Sequence, residues 1–264
     1  MKFLKTIFDF YINICIHVAV AVFSLVQITK LQLNISTNSN LDFFIFFGTI
    51  LGYNFLKNFE VFWKRVFSFK ENYTILAVSL LAFLAMIYFY FQLESNIQIQ
   101  FIKIGILILI YPFIRKFGFI KMVYVSFCLT LITVFVVEIN HNYNYLLQRF
   151  LIIFCLLIPL EVCDLETDSK TIKTLPKLIG IQNVKNLGYF LLVVFCVLKL
   201  KFDIDIFIAV VIAIAIYFSN ENSSKYYNSF WVESLPIFWW VLLLFRNFFQ
   251  NPISFQQKVC QMFF

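Results

Sequence analysis

Apolar residues in this chain come in long runs separated by short polar stretches, near 7–29, 42–57, 73–92, 99–114, 119–138, 145–161, 186–200, 204–219 and 229–249. A helix rises 1.5 Å per residue, so about 20 apolar residues cross a hydrocarbon core of about 30 Å. The pattern therefore predicts an all-α, polytopic membrane bundle of about nine transmembrane helices, forming one domain over residues 1–264. The second, seventh and eighth runs are short for that purpose. Tyr111-Pro112 closes the fourth run with a residue that lacks an amide donor, tolerated in a membrane helix when the freed carbonyl finds another partner. Lys2 and Lys5 precede the first run in the manner of a signal peptide, but a cleavable apolar region is about 7 to 15 residues long, so 7–29 is expected to be the first span.

Composition strengthens the class. Hydrophobic residues make up 62% of the chain, charged residues 13%, and mean hydropathy is +0.87, all far from the values of soluble domains. Phenylalanine alone occurs 37 times, which points to a biased genome more than to a function and prevents any single ring from being nominated as a site residue. The cysteines show no CxxC spacing and fall mostly within apolar runs as small packing residues, so neither disulfides nor a zinc site is expected.

Charge fixes an expected orientation. Fourteen basic residues (Lys2, Lys5, Lys57, Lys64, Arg65, Lys70, Arg115, Lys116, Lys121, Lys170, Lys173, Lys177, Lys185, Lys225) fall on the side of the amino terminus, against five (Lys30, Lys199, Lys201, Arg246, Lys258) on the other. Cytoplasmic loops are enriched in Lys and Arg, so the first group is expected in the cytoplasm, and the setting expected is a bacterial inner membrane. The net charge of +7 lies at helix ends, not in a basic stripe with interleaved aromatics, so anionic headgroups account for it and no nucleic-acid partner is expected. No Gly-rich phosphate loop, HExxH, Ser-His-Asp set or internal repeat is evident.

The polar segment with the most chemistry is Leu160 to Gly180, LEVCDLETDSKTIKTLPKLIG, where Glu161, Asp164, Glu166 and Asp168 follow directly on an apolar run. If the sixth helix continues outward, Asp164 and Asp168 share a face, Glu161 joins it three residues earlier, and Glu166 points elsewhere. Carboxylates at that spacing repel by a few tenths of a kcal/mol per pair unless a cation lies between them. Mg²⁺ suits the role, because it takes one or two carboxylates, keeps several waters and bridges to substrate phosphates. The plainer alternative is that the carboxylates neutralise Lys170, Lys173 and Lys177 in a solvated loop.

Thr174-Leu175-Pro176 and Gly180 complete a pattern of acidic helix end, basic turn, TLP and glycine. This stretch resembles the second aspartate-rich motif of the UbiA superfamily of intramembrane prenyltransferases, with Asp164 and Asp168 matching the two box aspartates. Tyr111-Pro112-Phe113-Ile114-Arg115-Lys116 is similar to the tyrosine-proline and basic segment of that family. The resemblance implies a UbiA-like bundle that transfers a prenyl group from a polyprenyl diphosphate to a small acceptor, with Mg²⁺ at Asp164 and Asp168. Asn54, Lys57, Arg115, Lys116 and Lys173, on the same membrane side as the acidic box, are expected near the diphosphate, with Glu161 and Glu166 supporting the metal ligands. The family's first aspartate-rich motif should fall at Asn54 to Phe62, where Phe55, Asn58 and Phe62 stand in place of aspartates. A catalytically inactive UbiA-like protein that binds lipid or a partner therefore stays open as the second reading. Of the remaining polar residues, Asn54 is expected chiefly to cap a helix, His17 to hydrogen-bond between helices, and Glu233 to begin the last span.

Overall fold

The computed structural model describes residues 2–35, 38–63, 69–115, 117–138, 142–165, 174–199, 203–224 and 226–250. Among them the chain is all helix and turn. The helices are α1 (Lys2–Asn13), α2 (Ile16–Leu33), α3 (Ser39–Trp63), α4 (Phe69–Tyr90), α5 (Ser95–Ile114), α6 (Gly118–Thr130), α7 (Tyr143–Cys163), α8 (Leu175–Ile179), α9 (Ile181–Lys199), α10 (Ile204–Phe218) and α11 (Leu235–Gln250). A π turn, Leu131–Phe135, prolongs α6, and a second, Tyr227–Val232, leads into α11.

Each expected apolar run falls on helix. Six segments among the described residues are long and apolar enough to cross a membrane: Ile16–Leu33, Tyr73–Tyr90, Ser95–Ile114, Tyr143–Cys163, Ile181–Lys199 and Tyr227–Gln250. Ile120–Phe135 and Ile204–Phe218 are equally apolar but shorter. Helix α3 has the length, 25 residues, yet carries Asp42, Lys57 and Glu60.

The first run departs from expectation, because 7–29 is two helices and not one. The chain breaks at Ile14-Cys15, where Cys15 takes a left-handed conformation with φ 61°. Bonds from α3 hold the break: the Asn54 amide donates to the Ile14 carbonyl at 3.3 Å, and the Lys57 ammonium approaches the Asn13 carbonyl at 3.5 Å. Carbonyls at the end of a helix otherwise lack partners, so these two side chains stabilise the ending. Helix α1 is then tied to the far end of the chain. Tyr226 donates to Asp9 at 2.7 Å, and His17, just past the break, lies 2.9 Å from the Tyr11 hydroxyl and 3.1 Å from both the Phe230 carbonyl and the Ser234 hydroxyl.

Two helices are central. In α2 61% of the span is buried and in α7 67%, whereas in α4 and α5 the figure is 6%, so the latter turn their apolar side chains outward to lipid. Helix α2 packs against α3, α11 and the π turn after α6; α7 packs against α6, α9 and α10. Gly188 lets α9 close on its neighbours, since a Cβ there would lie 2.7 Å from Ile158 Cδ1 and 2.9 Å from Ile216 Cδ1. Small residues at such crossings are how membrane helices gain van der Waals contact. Five hydroxyls inside the bundle are satisfied locally: Ser24, Thr29, Thr49, Thr130 and Thr133 each donate to the carbonyl four residues back.

Candidate functional site: an apolar cavity with a charged mouth

The less buried half of the bundle encloses a cavity of about 1100 Å³. Its walls follow from helical periodicity. Ile45, Gly48, Thr49, Gly52, Tyr53 and Leu56 line it from one face of α3; Phe101, Ile104, Gly105, Ile108 and Tyr111 line it from α5; Met122, Val125, Leu129 and Ile132 come from α6 and its π turn. Spacings of three and four residues place each set on one stripe of its helix. Glycines make part of the space, because a Cβ at Gly52 or Gly105 would meet no atom within 4 Å.

One end of the cavity is charged. Lys57, Arg115 and Lys121 meet Glu161, Asp164, Glu221 and Glu233 there, all of them lining residues. These come from the end of α3, the end of α5, the start of α6, the last turn of α7 and the segment before α11, so five helix termini converge on one end of the bundle. Lys121 and Glu161 form an ion pair at 2.6 Å, with side chains 13% and 7% exposed. Glu161 is thereby committed to a lysine. Asp164 caps α7, donating its backbone N–H to the Leu160 carbonyl at 3.0 Å, and its side chain is half-buried. Asn228 reaches the same carbonyl with its side-chain amide at 3.4 Å, joining the π turn to the end of α7.

The expected outward continuation of α7 is absent at its first step: the helix ends at Cys163, and Asp164-Leu165 form a turn. Apolar burial sustains α7, and the polar run that follows offers none. Glu161 and Asp164 both line the cavity, as a spacing of three residues requires. Asp168, Glu166, Lys116 and Lys173 lie outside the described residues. Asn54 is buried on α3, behind the cavity wall, holding the α1–α2 break. Capping, though of another helix, is therefore its observed role. Lys57 both touches that break and lines the cavity.

Sequence reasoning did not assign Lys121, Glu221 or Glu233 to the site. Glu233 is within electrostatic reach of both Lys57 and Asp164. Its only sequence signal was a carboxylate at the start of an apolar run with no basic partner nearby. Beside the mouth, Tyr226 keeps its proton as the donor to Asp9: that hydrogen bond first, burial next and the Asp9 charge last hold the phenol above its ordinary pKa.

The donor set bears on which metal would fit. Among the described residues no group of three or more His, Cys, Asp or Glu side chains converges as a closed metal cage. Mg²⁺ does not require one, since a single carboxylate, waters and substrate oxygens satisfy it. Asp164 provides such a carboxylate on the cavity wall. At α3 the cavity is also lined by Lys57, whose ammonium is a point charge of the kind that binds phosphate. The described mouth holds three cationic side chains and four carboxyl groups, so it offers an incoming anion no net positive charge of its own.

A multi-helix bundle with spans apolar enough to cross a membrane, and an apolar chamber with charged lining residues, defines the class: a polytopic intramembrane protein. Its fold is that of a UbiA homolog. Two solved structures of a UbiA homolog from Archaeoglobus fulgidus, one of them bound to GPP and Mg²⁺, each superpose over 88% of this chain and 98% of that chain, with TM-score 0.55 and 14% sequence identity. No protein-family model and no curated protein matches the chain.

Proposed function

We propose that the chain binds a polyprenyl diphosphate in this cavity and transfers its prenyl group to a small acceptor, as a divergent UbiA-like prenyltransferase. The observation that carries the reading is the pairing of a 1100 Å³ apolar chamber with a mouth holding Asp164, Lys57 and Arg115. A prenyl tail matches the apolar stripes of α3, α5 and α6, where its transfer from water gains about 0.8 kcal/mol per buried methylene. The diphosphate matches the mouth, where Arg115 can bind two oxygens at once and Lys57 one. Asp164, with Asp168, would hold Mg²⁺; when bound, the ion neutralises the diphosphate and the charge that grows on it as the allylic C–O bond breaks. That the UbiA homolog of this fold binds GPP and Mg²⁺ supports the same assignment.

A second reading, a UbiA-like protein that binds the diphosphate without turning it over, is favoured by one observation. On α3, at Asn54 to Phe62, where the resemblance places the family's first aspartate-rich motif and this chain has no aspartate, Asn54 and Lys57 are engaged with the Ile14 and Asn13 carbonyls.

Equilibrium binding of radiolabelled geranyl diphosphate to the detergent-purified protein tests the shared part. Binding is expected to require Mg²⁺ and to weaken tenfold or more in Asp164→Asn, about 1.4 kcal/mol. Affinity indifferent to both EDTA and Asp164→Asn would overturn the reading. Product formation with added acceptor then separates enzyme from binding protein.

A further inference from the structure

The opposite end of the bundle carries a second polar cluster that the diphosphate reading does not use. Arg149, six residues into α7, is 2% exposed, and Asp164 lies 15 residues further along, about 22 Å at 1.5 Å per residue. Its Nη2 donates to the Tyr145 hydroxyl at 2.6 Å and to Thr29 Oγ1 at 3.2 Å. The guanidinium lies over the rings of Trp239, 4.9 Å from the centroid, and Tyr145, at 5.4 Å. Its Nη1 is buried with no hydrogen-bond partner. Arg149 and Lys199 both line a small void of about 10 Å³, together with Gln32, Tyr145, Phe195 and Trp239.

Charge does not balance around that void. Asp205 is the carboxylate of the cluster and is paired with Lys199. Its Oδ1 also accepts from the Gln32 amide at 2.7 Å and from the Trp239 indole at 2.9 Å. Among the described residues no carboxylate lies within ion-pair distance of Arg149, so one cationic charge is left over inside the bundle. A buried cation without a counter-charge costs several kcal/mol, and the aromatic faces offset part of that. The void beside it has room for about one sphere of water size. Water there would satisfy Nη1 but leave the charge. A halide would do both.

We propose that this void is a binding site for a small monovalent anion, of which chloride is the physiological example, held by Arg149 Nη1 and the Lys199 ammonium. Its size excludes tetrahedral oxyanions, and a halide, somewhat larger than water, requires the lining side chains to give by a few tenths of an ångström.

The test is thermal unfolding of the full-length protein in detergent, at fixed ionic strength, with sodium gluconate replaced stepwise by sodium chloride. Chloride is expected to raise the midpoint saturably by about 2–4 °C. Bromide should substitute for it, sulfate should not, and Arg149→Gln should abolish the effect. If Arg149→Gln does not fold, Lys199→Gln serves, because it brings the cluster to neutrality and should also remove the chloride response. Equal midpoints in chloride and gluconate would overturn the proposal, as a water-filled void would give. So would a sulfate effect matching that of chloride, or a chloride response that survives in the variants.

Discussion

The two ends of the bundle are both polar, but they handle their charges in opposite ways. At the Arg149 end, Thr29, Gln32, Tyr145, Lys199, Asp205 and Trp239 bond mainly to one another around a void of about 10 Å³. At the Asp164 end, Lys57, Arg115, Asp164, Glu221 and Glu233 border about 1100 Å³ of space. Polar side chains inside a membrane protein are costly unless paired; the Arg149 set is packed tightly around a small void with only Nη1 unpartnered, whereas the Asp164 set borders a large space. Burial follows the same division. The Arg149 end rests on α2 and α7, the most buried helices, while the Asp164 end is walled partly by α5, whose other faces meet lipid.

The sharpest way to break this contrast is to attack the Arg149 network. Asp205→Ala would leave Lys199 without its counter-ion beside Arg149 and should destabilise the protein by about 3–5 kcal/mol, read as thermal unfolding in detergent. A loss under about 1 kcal/mol would mean that the Arg149 end is not a cooperative network. A smaller effect should come from Gly188→Ala, whose methyl would press on Ile158 and Ile216, at about 1–3 kcal/mol in the same assay. Gly105→Leu should mark the other extreme. Its side chain would enter empty space, so stability should stay within about 0.5 kcal/mol of wild type while geranyl diphosphate binding falls about tenfold. If Gly105→Leu proved as destabilising as Gly188→Ala, the cavity would be packed core and the contrast would fail.

Much of the fold was legible because membrane helices announce themselves by length and apolar composition. The break at Ile14-Cys15 was not, since both residues are apolar and neither Gly nor Pro marks the place. It depends on Asn54 and Lys57, both about 40 residues away in sequence. The site was legible where charge sits at helix ends: Lys57, Arg115, Glu161 and Asp164 do converge on one cavity. The partition among them was not, because spacing shows that Glu161 and Asp164 share a face but not that Lys121 claims Glu161. Arg149 was hidden for the opposite reason. A lone cation within the apolar run 145–161 does not interrupt it, and only packing shows that Thr29, Tyr145 and Trp239 surround it.

The π turn at Tyr227–Val232 closes its ring one residue wider than an α-helix, as the bond from the Glu233 N–H to the Asn228 carbonyl records. Each residue in α geometry advances the azimuth by about 100°. That surplus residue sets the phase between the two clusters, keeping Asn228 and Glu233 turned to the chamber while Trp239, further along the same rod, faces Arg149. Reading frame along the helix, and not contact alone, joins the two ends: a one-residue deletion within 227–232 would turn one set out of register with the other.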